Sequence, residues 1–233
     1  MQGVGWRYLA ATIFCVMVVP SVSHAQQTDF EGWFQYLANI GLDDDRKWVL
    51  TLEEQPRLGD DWHKLGQNLL RPIVNYNVNL NFSVAVGYAW TPYFYNAQYQ
   101  TAYRDENRTF VQLAYKHNLW GLEWVHRLRQ EQRFIENTAG SVANRTRYLV
   151  RANYPLSEDK NFGLTGYNEI FVNENGVYNG PKGGYDQDRL FFGPYMKIRN
   201  ARYEVGFLEQ QLARFGSEPR WAQVIMFMAA FEY

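Results

Sequence analysis

The residues best equipped for chemistry carry charge and alternate along the chain. In "HRLRQEQRF", His126 to Phe134, Arg127, Arg129, Glu131 and Arg133 occupy every second position. Successive side chains of a β-strand point to opposite faces, so a period of two places all four on one face. Arginine's planar fork pairs with carboxylates and other oxyanions through two parallel hydrogen bonds. Such a row can neutralise itself with glutamates or hold an anion. Glu53 and Arg57, Glu106 and Arg108, Glu123, Arg145, Arg147 and Arg151, Glu169, Arg189, and Arg202 and Glu204 fall on the same kind of face in other segments.

Other chemistries are thinly supplied. Hydrolysis by a serine needs a histidine and an orienting group. Outside the first 25 residues the histidines are His63, His117 and His126, and the serines Ser83, Ser141, Ser157 and Ser217. His126 lies on the face opposite the arginines, with no serine at a matching height, so the chain reads as a non-enzyme. Asp43 to Asp45 and Asp186 to Asp188 could attract calcium, but neither run has the glycine and terminal glutamate of a dedicated calcium loop. They read as solvated turns. No catalytic residue, metal site or cofactor is expected.

The elements that position the charges begin after an export signal. Arg7 supplies a positive start, Leu9 to Val19 an apolar run, and Ser23-His24-Ala25 a cleavage site, which predicts a mature chain from Gln26. Removal of 25 of the 233 residues leaves 208, enough for one domain. The sole cysteine, Cys15, lies within the signal, so the mature chain forms no disulfide. The 23 basic residues fall to 22 without Arg7, against 24 acidic ones, which argues against nucleic acid as a partner.

Aromatic residues make up 17% of the chain, yet mean hydropathy is only −0.45. Beyond the signal no apolar run reaches the roughly 18 residues of a membrane helix. A transmembrane β-barrel has this profile, because each strand averages a lipid-facing and a lumen-facing set. Alternating segments recur over 47–57, 68–78, 80–94, 103–117, 119–135, 144–155, 161–174, 187–198 and 200–214. A final one ends the chain, "RWAQVIMFMAAFEY". There Phe227, Phe231 and Tyr233 share a face and form a C-terminal signal for outer-membrane assembly machinery. Short connections near 78–79, 117–118, 157–160 and 199–200 alternate with longer ones at 58–67, 95–102, 136–143, 173–186 and 215–219. The expected fold is therefore all-β, an antiparallel transmembrane barrel of ten strands over 46–233, with twelve as the alternative. Short turns would be periplasmic and long loops external. Residues 26–45 form a lead-in, because Phe30, Trp33, Phe34, Leu37 and Ile40 fit either an extra strand or a short helix.

A charge facing lipid at mid-depth costs roughly 2–4 kcal/mol, so the alternating charges must face the lumen. Two functions are compatible: a narrow channel or transport component for small polar or anionic solutes, or a closed structural or binding barrel plugged by ion pairs. An outer-membrane lipid hydrolase using His126 is a third reading. The expected setting is the outer membrane of a Gram-negative bacterium, as a monomer among outer-membrane lipid and lipopolysaccharide.

"LLRPIVNY" (69–76), "VGY" (86–88), "DENR" (105–108), "RLRQEQRF" (127–134), "NEIFVN" (168–173), "DQDRLFFG" (186–193) and "EVGFLEQ" (204–210) follow in order. In these the chain resembles bacterial outer-membrane proteins grouped as domain of unknown function 2490. Two positions depart from that pattern: Asn168 stands where an acid is common, and Asp188 where asparagine is. The resemblance implies an outer-membrane barrel and carries no catalytic or binding residues with it.

Overall fold

The computed structural model describes residues 28–94, 104–213 and 219–233. The signal, Cys15, Ser217 and most of the loops at 95–102 and 215–219 lie outside them. Eleven strands form a single closed sheet: β1 (Thr28–Gly41), β2 (Trp48–Gly59), β3 (Lys64–Asn77), β4 (Phe82–Trp90), β5 (Glu106–Leu119), β6 (Leu122–Ile135), β7 (Val142–Pro155), β8 (Phe162–Asn173), β9 (Gly184–Ile198), β10 (Ala201–Leu212) and β11 (Arg220–Glu232). Each strand pairs antiparallel with its sequence neighbours, and the barrel closes between β1 and β11.

The barrel expected from sequence is present, with eleven strands instead of ten or twelve. The difference is β1. The lead-in is a full wall strand and pairs with β11 in parallel, from Thr28 opposite Trp221 to Asn39 opposite Glu232. An odd strand count puts the start of β1 and the end of β11 at opposite ends of the barrel. Antiparallel closure is then impossible. Phe34 and Phe227 stack across the seam at 5.3 Å, and Asn39 and Arg46 bind Glu232 at 2.9 and 2.6 Å.

The asymmetry of the connections survives with shifted boundaries. One end carries 42–47, 78–81, 120–121, 156–161 and 199–200; the other carries 60–63, 91–105, 136–141, 174–183 and 213–219. The turn expected at His117-Asn118 is Trp120-Gly121, and β5 runs to Leu119. Both turn residues have positive φ, 56° and 78°, which suits a two-residue hairpin, and glycine meets that demand without a Cβ penalty. The long loop expected at 58–67 contracts to 60–63, because β2 and β3 pair as far as Gly59 and Lys64.

Inside the barrel two environments meet. β9, β10, β11 and β1 contribute one buried apolar cluster, Trp33, Phe191, Leu208, Ala222, Val224 and Met226, set among polar inward residues such as Arg189, Glu204 and Gln210. Along β2 and β5 to β8 the inward residues are mostly polar or charged. A smaller cluster of Ile73, Ala85 and Phe110 lies between. Small residues on β4 make room for long neighbours. The Phe110 ring occupies the space that a Cβ on Gly87 would need. Gly87→Ala should therefore lower unfolding free energy by about 1–3 kcal/mol through overpacking. Adding Phe110→Leu should recover most of the loss, as read by tryptophan fluorescence in urea.

Candidate functional site: a charged lumen and its vestibule

Period two does place the alternating charges inside. On β6, Arg129 and Glu131 are 2% and 1% exposed, while Leu128 and Phe134 face outward. Four glutamates each serve two arginines. Glu106 takes Arg108 at 2.7 Å and Arg133 at 2.5 Å. Glu131 takes Arg145 at 2.6 Å and Arg147 at 2.7 Å. Glu169 takes Arg147 and Arg127, both at 2.7 Å. Glu204 takes Arg202 at 2.7 Å and Arg151 at 3.0 Å. Because Arg147 bridges Glu131 and Glu169, one chain of pairs ties β6, β7 and β8 together. The Arg151–Glu204 pair crosses the lumen from β7 to β10, beside the Arg202–Asn153 bond at 2.8 Å.

The remaining expected residues divide. Glu53 is buried and paired, with Arg71 at 2.8 Å and the Gln35 amide at 2.8 Å. Arg129 donates to Gln112 at 2.7 and 3.0 Å and stacks on Phe110 at 4.1 Å, with Glu131 at 3.8 Å. Glu123 is a correction. It is exposed near the Trp120-Gly121 turn, accepts one bond from Asn153 at 3.0 Å and forms no ion pair among the described residues. Arg57 and Arg189 also lack a carboxylate at ion-pair distance among the described residues. Arg57 donates to Gln55 and Gln67, at 2.6 and 2.9 Å.

Sequence reasoning passed over Arg71, whose inward neighbours Leu69 and Ile73 are apolar and hid its face. It also passed over Asp186, paired with Arg145 at 3.0 Å, and over Arg220, paired with Asp29 at 2.6 Å. Asp43 caps the backbone of Trp48 at 2.8 Å. No group of three or more His, Asp or Glu among the described residues could hold a metal ion.

Above the mid-lumen pairs lies a cavity of about 830 Å³ at the end that carries the long loops. Leu69, Arg71, Arg147 and Phe171 form its floor, and Arg104, Asn179 and Lys182 are at its mouth. Its wall holds ten Arg or Lys side chains and five Asp or Glu, so its field is positive.

On the outward face His117 and His126 lie Nε2 to Nε2 at 3.1 Å, and His126 Nδ1 meets the Tyr148 hydroxyl at 2.9 Å. Neither described histidine bond involves a serine.

The model of the family described as "protein of unknown function (DUF2490)" matches residues 30–220. The chain belongs to that family. An uncharacterized protein of Methylorubrum extorquens AM1 is 32% identical over 161 residues, covering 68% of this chain and 69% of the relative. The family match runs from β1 through β10 and ends at the first residue of β11. Neither the family description nor the relative names an enzymatic activity. Asn168 and Asp188, singled out in the sequence, touch each other: Asn168 Nδ2 donates to Asp188 Oδ2 at 2.9 Å on the outward face.

Removing one acceptor from this network leaves two buried guanidiniums short of charge. Glu131→Gln should cost about 3–5 kcal/mol of unfolding free energy. Glu232→Gln, in a pair with Arg46 that is roughly half exposed, should cost less than about 1 kcal/mol. Equilibrium unfolding of both variants beside the parent checks the contrast.

Proposed function

We propose that this DUF2490 member is an outer-membrane barrel whose lumen is closed by ion pairs and whose outer end is a one-sided binding chamber. The observation that carries this is the burial of the mid-lumen charges. Arg129, Glu131, Arg147, Glu169, Glu53 and Arg71 are all less than 9% exposed, which leaves little room for a hydrated solute to pass. Of the two readings of a charged lumen, this favours the plugged barrel over the narrow channel.

The membrane setting rests on the outward face. Leu52, Val86, Val111, Leu113, Leu128, Ile170, Phe192 and Phe207 are exposed there. Aromatic residues gather towards both rims, with Trp48, Tyr115 and Tyr203 at the short-turn end and Tyr88, Trp90 and Tyr185 at the other. An apolar band between aromatic girdles is what a barrel in lipid presents. Cleavage after Ala25 would deliver the chain to the periplasm. Phe227, Phe231 and Tyr233 on the outward face of β11 would then be available to assembly machinery. Short turns would face the periplasm and long loops the lipopolysaccharide leaflet, with the barrel acting as a monomer.

Two measurements test the proposal. The folded protein, identified by a heat-modifiable gel shift, should give no discrete current steps in a planar bilayer; reproducible steps would restore the channel. On intact cells an impermeant maleimide should label Tyr178→Cys in a long loop and leave Glu158→Cys in a short turn unlabelled. The opposite labelling would invert the topology.

A further inference from the structure

Among the described residues three arginines of the vestibule form no ion pair, Arg57, Arg104 and Arg189, and Arg57 and Arg189 stand together. Arg57 and Trp33 are opposite each other in the β1–β2 register. The Arg57 guanidinium carbon lies 3.7 Å from the centre of the Trp33 ring, and that of Arg189 lies 4.9 Å from the same centre. Arg189 is also 4.7 Å from the Phe171 ring. Its register neighbour is Glu169, which is already engaged by Arg127 and Arg147. The partners the structure supplies are neutral. Gln55 and Gln67 accept from Arg57, and the Gln210 amide lies 3.2 and 3.3 Å from the Arg189 donors, where its oxygen would accept once the amide is turned over.

Elsewhere in this lumen four glutamates each serve two arginines; Arg57 and Arg189 have no carboxylate at ion-pair distance among the described residues. Stacking on an aromatic face offsets part of the cost of burying a guanidinium and leaves its in-plane donors for other partners. Arg57 Nε and, on the same wall, Arg133 Nη1 donate to no atom of the described residues. A charge-assisted bond of about 2.8 Å puts an acid's central atom roughly 4 Å from each guanidinium carbon. One carboxylate or phosphate can therefore bridge two guanidiniums up to about 8 Å apart; at 3.7 and 4.9 Å from the same ring centre, those of Arg57 and Arg189 are separated by no more than about 8.6 Å.

Amides surround this pair: Gln67, Asn173, Gln187 and Gln210 all line the cavity. They suit a body rich in hydroxyls, and the volume of about 830 Å³ is that of a small-molecule site. We propose that the vestibule binds a small hydroxylated organic anion, of the sugar-acid or sugar-phosphate class. Its acid group would be held between Arg57 and Arg189 and its hydroxyls by the amides. The ligand takes the place of the carboxylate that the fold withholds.

The proposal rests on the closed chamber only for entry from one end. The test is calorimetric titration of the refolded protein in detergent with glucuronate, glucose 6-phosphate, inorganic phosphate and glucose. Saturable binding of at least one sugar anion is expected, with glucose and inorganic phosphate each about tenfold weaker or more. Arg57→Gln and Arg189→Gln should each weaken binding about tenfold or more, the loss expected of one charge-assisted interaction. Arg104→Gln at the mouth, bound to backbone carbonyls of Glu136 and Asn179, should leave it within about twofold. A gel shift on each variant verifies folding. No saturable binding by the folded parent would overturn the proposal. So would binding indifferent to both arginines, and so would inorganic phosphate binding as tightly as the sugar anions. A barrel that conducts, yet still binds through Arg57 and Arg189, would remove the closure and keep the site.

Discussion

A guanidinium turned into a closed barrel must be met there by an acceptor. Alternation leaves no other choice: outward is an apolar face, and inward is a space too narrow for every side chain to keep its water. The rest of the interior follows from how that need is met. Carboxylates are scarcer than arginines, so Glu106, Glu131, Glu169 and Glu204 are each shared by two. Sharing forces neighbouring strands into fixed relative heights, since a slip of one residue would turn every partner outward. Arginines with no close carboxylate stack instead: Arg129 on Phe110, Arg189 on Phe171 and Trp33, and Arg57 on Trp33.

The apolar half of the lumen has a complementary role. Trp33, Phe191, Leu208, Val224 and Met226 pack where β9 to β11 meet β1. The parallel seam falls within that half. A parallel pair is slightly weaker per residue than an antiparallel one. Here packing on the inside, the Phe34–Phe227 stack on the outside and the Arg46–Glu232 contact at the end all brace it. Charge holds one side of the barrel, and apolar packing holds the closure.

What the sequence discloses follows the same division. Where one face is charged and the other apolar, as on β6 and β7, period two assigns faces correctly from Arg127 to Arg133 and from Arg145 to Arg151. Where both faces are apolar the signal fails. On β1, Trp33 and Leu37 point inward while Phe30, Phe34 and Ile40 point outward, so the strand also fits helical spacing and the count of eleven was hidden. Arg71 was hidden by Leu69 and Ile73 on its own face. The turn at Trp120-Gly121 was hidden because both of its flanks are apolar, and Glu123 was drawn into the network by parity although it lies near that turn. The vestibule was beyond reach for a different reason. Arg57 and Arg189 come from strands far apart in sequence, and their shared ring belongs to the strand that was hardest to assign.

The central claim is that buried ion pairs close this barrel, and the most direct measurement is the current carried when they are removed. Arg129→Ala with Arg147→Ala deletes two of the longest side chains at mid-lumen. A protein that still folds by gel shift should then pass ions in a planar bilayer where the parent is silent. If the parent conducts and the double substitution leaves its conductance unchanged, the charges do not form the barrier.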